Sequence, residues 1–211
     1  MLKPSQLNKN QLIAVFLSIT LATTAGCGLD SKRLKQIGTI VAIGIAAKLI
    51  YDMVVDYKTK QVTSEDEVID RYVKTHKQLP EEPVLVTYES SIKPGEVVSV
   101  GNDISIQSKL EVVRSASSRT VDIQEKITIY DNEDHSKELK SLTKPVNDES
   151  KTSGSFENEF TFKLPKGMPQ GIYPVKTEVI VDGKAFEPVN SQMQLVYFEE
   201  LSNPSQLVAV N

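Results

Sequence analysis

From Val84 onward, apolar and polar residues alternate in short runs separated by turn residues, whereas before Val84 the apolar positions recur every three or four residues. The change of period, from about 3.6 to 2, predicts helices followed by strands. Val84 to Ile92 is the first β-rich run, and Pro94 with Gly95 ends it. Ile104, Ile106, Leu110 and Val112 alternate imperfectly with polar neighbours. Val121, Ile123, Ile127 and Ile129 do so more cleanly, with Glu125 as the one exception on that face. Phe156, Phe160, Phe162 and Leu164 share a face that Asn158 interrupts, and Pro165 and Gly167 close the run. Tyr173, Val175, Thr177, Val179 and Val181 alternate through the next strand. Asp182 and Gly183 then give the strongest hairpin signal, because both central residues of a type I′ turn need positive φ. A return strand is expected from about Ala185 to Phe198. Seven or so half-apolar strands of this kind predict an antiparallel β-sandwich.

The preceding third reads as helix. Ile43, Ala47, Ile50, Val54 and Tyr57 fall on one face, and Lys48, Asp52 and Asp56 on another, which predicts a helix over residues 36–57. Its uncharged part, Ile37 to Ala47, is short of the roughly 20 residues of a bilayer span, so the expected place is on a membrane or against a partner. Gly38, Ala42 and Ala46 read first as plain fillers of an apolar helix, and the sharper alternative is that they allow close approach of a second copy. Ser64 with Glu67 has the form of a capping box, and acids occupy the first turn. Val68, Ile69, Tyr72, Val73 and His76 form the apolar face of this second helix, with His76 expected as a partly buried packing residue. Pro80 and Pro83 stop it and stiffen a linker before the strands.

At the amino terminus, Lys3 and Lys9 precede an uncharged run from Leu12 to Ala22 and small residues up to Gly26, the order of an export signal. The only cysteine of the chain follows, in Thr24, Ala25, Gly26, Cys27. These residues resemble the lipobox of bacterial lipoproteins, although Thr24 stands where that family usually has Leu. The resemblance implies cleavage between Gly26 and Cys27, a diacylglycerol thioether on Cys27 and acylation, commonly by palmitate, of the new amine. Each buried methylene contributes about 0.8 kcal/mol to membrane residence, and two or more chains suffice where one is marginal. Lys32, Arg33 and Lys35 would add about 1 kcal/mol each against anionic headgroups. Gly28, rather than Asp, after the cysteine implies sorting to the outer membrane and its periplasmic face, with retention at the inner membrane as the alternative.

The expected layout is therefore a signal peptide at 1–26, a lipid-anchored linker at 27–35, a membrane-proximal helical segment at 36–83, the sandwich at 84–199 and a tail at 200–211. Over 84–199 the chain is similar to the immunoglobulin-like modules of bacterial envelope proteins, carried by Gly171, Ile172, Tyr173, Pro174, Val175 and the hairpin after them. Tyr173 would be the conserved tyrosine near the start of the penultimate strand. The paired cysteines and core tryptophan of antibody domains are absent.

Composition narrows the function. The 211 residues carry 24 Lys and Arg against 28 Asp and Glu, a net charge of -4, with no basic stripe, so no nucleic-acid partner is expected. One Cys and two His, with no nucleophile elbow, phosphate loop or zinc motif, give no catalytic residue, cofactor or metal site to name. Asp131 and Asp134, in Asp131-Asn132-Glu133-Asp134-His135, are the weak candidates for a hard cation, and a plain turn explains the same residues. The polar stretch Asn147 to Ser155 reads as an exposed loop. The preferred reading is a non-enzymatic lipid-anchored periplasmic protein whose immunoglobulin-like domain meets another envelope protein, with self-association through residues 36–57 as a further option. The alternative is a hydrolase or metal-dependent ligand-binding protein built on loop carboxylates.

Overall fold

The computed structural model describes residues 47–197. The segment expected to be a signal peptide, Cys27, the small residues Gly38, Ala42 and Ala46 of the self-association option, and the expected tail at 200–211 lie outside them. Residues 47–51 are helical. They are followed by β1 (Val55–Thr63), α1 (Glu65–His76), β2 (Val84–Lys93), β3 (Val97–Ser99), β4 (Asp103–Val113), β5 (Ile123–Tyr130), β6 (Glu138–Pro145), β7 (Gly154–Lys163), β8 (Gly171–Val181), β9 (Lys184–Ala185) and β10 (Val189–Val196).

Two sheets form a mainly β, immunoglobulin-like sandwich. One has the order β1-β7-β4-β2; the other has β3-β10-β8-β5-β6, with β9 beside β8. All pairings are antiparallel except β3 with β10. In immunoglobulin lettering β2, β4 and β7 take the places of A, B and E, and β5, β6, β8 and β10 those of C, C′, F and G. Between β6 and β7 the chain makes no D strand. Its place beside β7 is taken by β1, which comes from the other end of the domain sequence.

Tyr173 behaves as expected of a tyrosine near the start of strand F: it is fully buried, and its hydroxyl donates to the Pro169 carbonyl at 2.8 Å, four residues upstream. The hairpin is also as expected, with Asp182 at φ 49° and Gly183 at φ 80°.

Three expectations need correction. The helix predicted over 36–57 does not reach Tyr57, because the chain is extended from Val55. Val55-Asp56-Tyr57-Lys58-Thr59-Lys60 alternates with period 2 and is rich in β-branched and aromatic residues, and Val54 with Tyr57 matched helical spacing only by coincidence. The sandwich accordingly begins at β1, inside the segment expected to be helical. The 147–155 stretch is not a free loop either: Asn147 is buried, donates to the Val121 and Thr152 carbonyls at 2.8 Å, and accepts from the Ile123 amide at 3.0 Å. Finally, His76 is exposed and stacks on Tyr72 at 4.0 Å.

Helix α1 starts where the sequence places it. The Ser64 hydroxyl accepts from the Glu67 amide at 3.4 Å, and Lys77 ends the helix in a left-handed conformation. Val68 is its one fully buried side chain. Glu65 fixes the helix to the sandwich, accepting from the Ser153 amide and hydroxyl at 2.8 Å and from Arg114 at 3.1 Å.

The core lies between the sheets in two apolar clusters. The larger includes Ile106, Ile127, Phe160, Tyr173 and Met193, together with Ile50 and Met53 from before β1. The smaller includes Leu110, Ile123, Phe156 and Val179. Phe160 is fully buried and packs against Tyr57 at 4.6 Å between ring centres. Its replacement by Ala is expected to cost about 3–5 kcal/mol. Urea unfolding of the two proteins side by side measures this, and a loss below 1 kcal/mol would contradict the core placement of that ring.

Candidate functional site

What separates the two apolar clusters is a polar row. Across the inner face of the β1-β7-β4-β2 sheet, Thr59, Asn158, Ser108 and Ser90 stand in register on four adjacent strands. Facing them from β5 is Glu125, 0% exposed. The two residues that broke the sequence alternation therefore meet: Asn158 Nδ2 donates to Glu125 Oε2 at 2.8 Å. The Ser108 hydroxyl donates to the same oxygen at 2.9 Å, and Tyr88 from β2 donates to Oε1 at 2.8 Å. Thr59 Oγ1 lies 2.7 Å from Asn158 Oδ1 and 3.1 Å from the Val146 carbonyl oxygen, extending the network to β1.

Burial pushes the Glu125 carboxyl above the usual carboxylate range, and hydrogen bonds from Ser108, Tyr88 and Asn158 recover only part of that cost. Burial, followed by the field of Glu125, also raises Tyr57 and Tyr88. The hydroxyls of Tyr57 and Ser90 are buried without a partner among the described residues. Buried groups left in this state each cost about 1–3 kcal/mol. The row is thus a buried polar layer between the two apolar clusters, in which Glu125 is harder to ionise than a free carboxyl. Among the described residues neither His76 nor His135 hydrogen-bonds to a serine or carboxylate; the His76 ring lies 3.1 Å from the Tyr72 carbonyl oxygen.

The loop acids have a different use. Asp131 is buried and its Oδ1 accepts from the Glu133 and Asp134 amides at 2.9 and 3.1 Å, while Asp134 Oδ1 accepts from the Ser136 amide and hydroxyl at 3.0 and 2.6 Å. Both close the β5–β6 turn. Among the described residues Asp131 Oδ2 has no hydrogen-bond partner, and it lies 4.0 Å from Lys137 Nζ. Among the described residues no three His, Cys, Asp or Glu side chains gather as metal ligands.

On the outer face of the same four-stranded sheet is an open cleft of about 610 Å³. Its walls are two cross-strand rows, Lys60-Glu157-Lys109-Glu89 and Lys58-Glu159-Gln107-Ser91. Lys109 pairs with Glu157 at 2.7 Å and Gln107 donates to Glu159 at 3.0 Å. The rows are self-neutralised, and α1 covers the sheet beyond them, with Arg71 on Glu111 at 2.5 Å. Sequence reading missed these rows, although the outward positions of each strand carry them as regular alternation. It missed Tyr88 and Ser108 as well, which nothing in the pattern marks as partners of Glu125.

No protein-family model matches the chain, and no curated protein matches it. Among solved structures it is similar to the CARDB domain of the PF1109 protein of Pyrococcus furiosus, determined in complex with di-metal ions, at 13% identity and a TM-score of 0.33 over 56% of this chain and 97% of that one. It is also similar to the N-terminal domain of the Streptococcus gordonii adhesin Sgo0707, at 13% identity and a TM-score of 0.34 over 56% and 33% of the two chains. A family 123 glycoside hydrolase from Clostridium perfringens aligns at 9% identity and a TM-score of 0.33 over 69% and 28%. The immunoglobulin-like assignment stands on the strand order and the Tyr173 corner.

A carboxyl that is harder to ionise in the folded chain than in the unfolded one favours folding most when both forms carry the proton. For Glu125 that advantage is full below the ordinary carboxylate pKa and is lost as the pH rises through the folded-state value. Glu125→Gln is expected to melt higher than the parent at alkaline pH, with the gap closing toward acid. Glu125→Leu strands three donors and is expected to cost about 1–3 kcal/mol for each one that finds no water. Thermal melts across pH check both, and a parallel pH profile for parent and Gln variant would contradict the assignment.

Proposed function

We propose that the chain is a non-enzymatic, lipid-anchored protein of the bacterial envelope, tethered through Cys27 at the periplasmic face of the outer membrane and presenting its immunoglobulin-like domain to another envelope protein. The observation that carries this reading is how the domain joins the segment before it. Ile50 and Met53, 1% and 6% exposed, belong to the core itself, so the apolar amino-terminal stretch leads into the sandwich with no free linker between residue 50 and β1. A domain held by that end leaves its opposite end, α1 and the charged outer sheet face turned toward partners. Charged rows of this kind favour orientation and rate of encounter over raw affinity.

Mass spectrometry of the mature protein is expected to find Cys27 first, carrying a diacylglyceryl thioether, and Cys27→Ser is expected to leave the membrane fraction. A retained signal or a bare thiol would contradict the anchor. For the partner, a pull-down from envelope extract is expected to recover a stoichiometric protein that Lys58→Glu with Lys60→Glu reduces, most clearly at low salt. Recovery indifferent to both salt and charge reversal would contradict this face as the contact.

A further inference from the structure

We propose that β1 is a latch whose docking onto β7 is linked to the proton on Glu125, so that loss of the proton releases the strand. The geometry makes β1 the weakest boundary of the buried polar row. None of its nine side chains is fully buried, and its inner positions run Val55, Tyr57, Thr59, Gln61, turning polar where they meet the row. Beyond the backbone ladder to β7, it is held by the Tyr57–Phe160 packing, by Thr59 on Asn158 and Val146, and by Gln61 on the Ser153 carbonyl at 3.2 Å. Asn158 is the joint: one end of its amide donates to Glu125, and the other lies against Thr59.

Hydrogen bonds from Tyr88, Ser108 and Asn158 offset only part of the cost of a charge on Glu125, and no cation pairs with it among the described residues. Tyr57 from β1 and Tyr88 from β2 face it, and both resist ionisation. Ser108 and Asn158 from β4 and β7 are uncharged. From β8 the facing residue is Val179, whose neighbour Glu178 is on the other side of the sheet with Lys126 and Lys176 at 3.3 and 3.4 Å. Lys144 is its ladder partner on β6 and makes no ion pair with it among the described residues. An ionised Glu125 therefore gains most from water. Lifting β1 admits water by removing Tyr57 and Thr59 from the side of the row, whereas opening any central strand would dismantle the core.

Linkage gives the size of the effect: opening that accompanies release of one proton becomes about tenfold more favourable per pH unit above the folded-state pKa. The test is hydrogen exchange of the full chain in detergent between about pH 5 and about pH 8, with rates divided by the intrinsic chemical rate at each pH. The expected result is protection of the β1 amides that falls with pH by up to about tenfold per unit, with β4 and β8 unchanged. In Glu125→Gln the β1 slope is expected to vanish. A flat β1 profile, an equal slope in β4 and β8, or a slope that survives in the Gln variant would each overturn the proposal. If the variant does not fold, the comparison of strands within the parent decides alone.

Discussion

One carboxyl placed between two sheets governs how this sandwich is put together. Glu125 needs three donors, and they come from three different strands of the opposite sheet: Tyr88 from β2, Ser108 from β4 and Asn158 from β7. A shift of any of these strands by one residue would turn its donor to the outer face and leave the acid unmatched. Apolar contacts on either side of the row tolerate small displacements far better than this arrangement does. Pairing all three donors with Glu125 is compatible with one register of these strands only.

The second constraint follows from a missing strand. With no D strand between β6 and β7, the edge of β7 would be open to pairing with another chain. β1 closes it, and Lys58 and Lys60 on its outer face discourage further strand addition. The amino-terminal segment is thereby part of the fold, with Ile50 and Met53 reaching into the core and Lys140 Nζ donating to the Tyr51 and Met53 carbonyls at 2.8 and 2.7 Å. At the other end of β1, Glu65 responds to pH with the opposite sign to Glu125. Burial works against its ionisation, but the hydrogen bonds from Ser153 and Arg114 outweigh burial and hold the carboxyl low, so α1 is best fixed at neutral pH and loosens toward acid.

The central strands were legible because their inner positions are Ile, Val and Phe at period 2, and the hairpin because Asp182-Gly183 is chemically suited to positive φ. Edge strands were not. In β6 the inner positions are Lys140, Leu142 and Lys144, and lysines at an edge can run their stems along the core while the ammonium leaves it, which hides the alternation. The alternation of β1 is masked because Val54 and Tyr57 continue the spacing of a helical face that ends at residue 51. Half of the candidate site announced itself: Glu125 and Asn158 stood out as polar residues on apolar faces. Their partners did not, since a serine or a tyrosine in a strand carries no sign of the sheet it will face.

The claim on which the rest depends is that Glu125 is buried between the sheets with no ion-pair partner among the described residues. Carbon NMR of selectively labelled glutamate carboxyls in the folded protein, titrated with pH and assigned through Glu125→Gln, reads this directly. The account predicts that the Glu125 signal titrates above the ordinary carboxylate range. A midpoint at or below that of an exposed glutamate would contradict it.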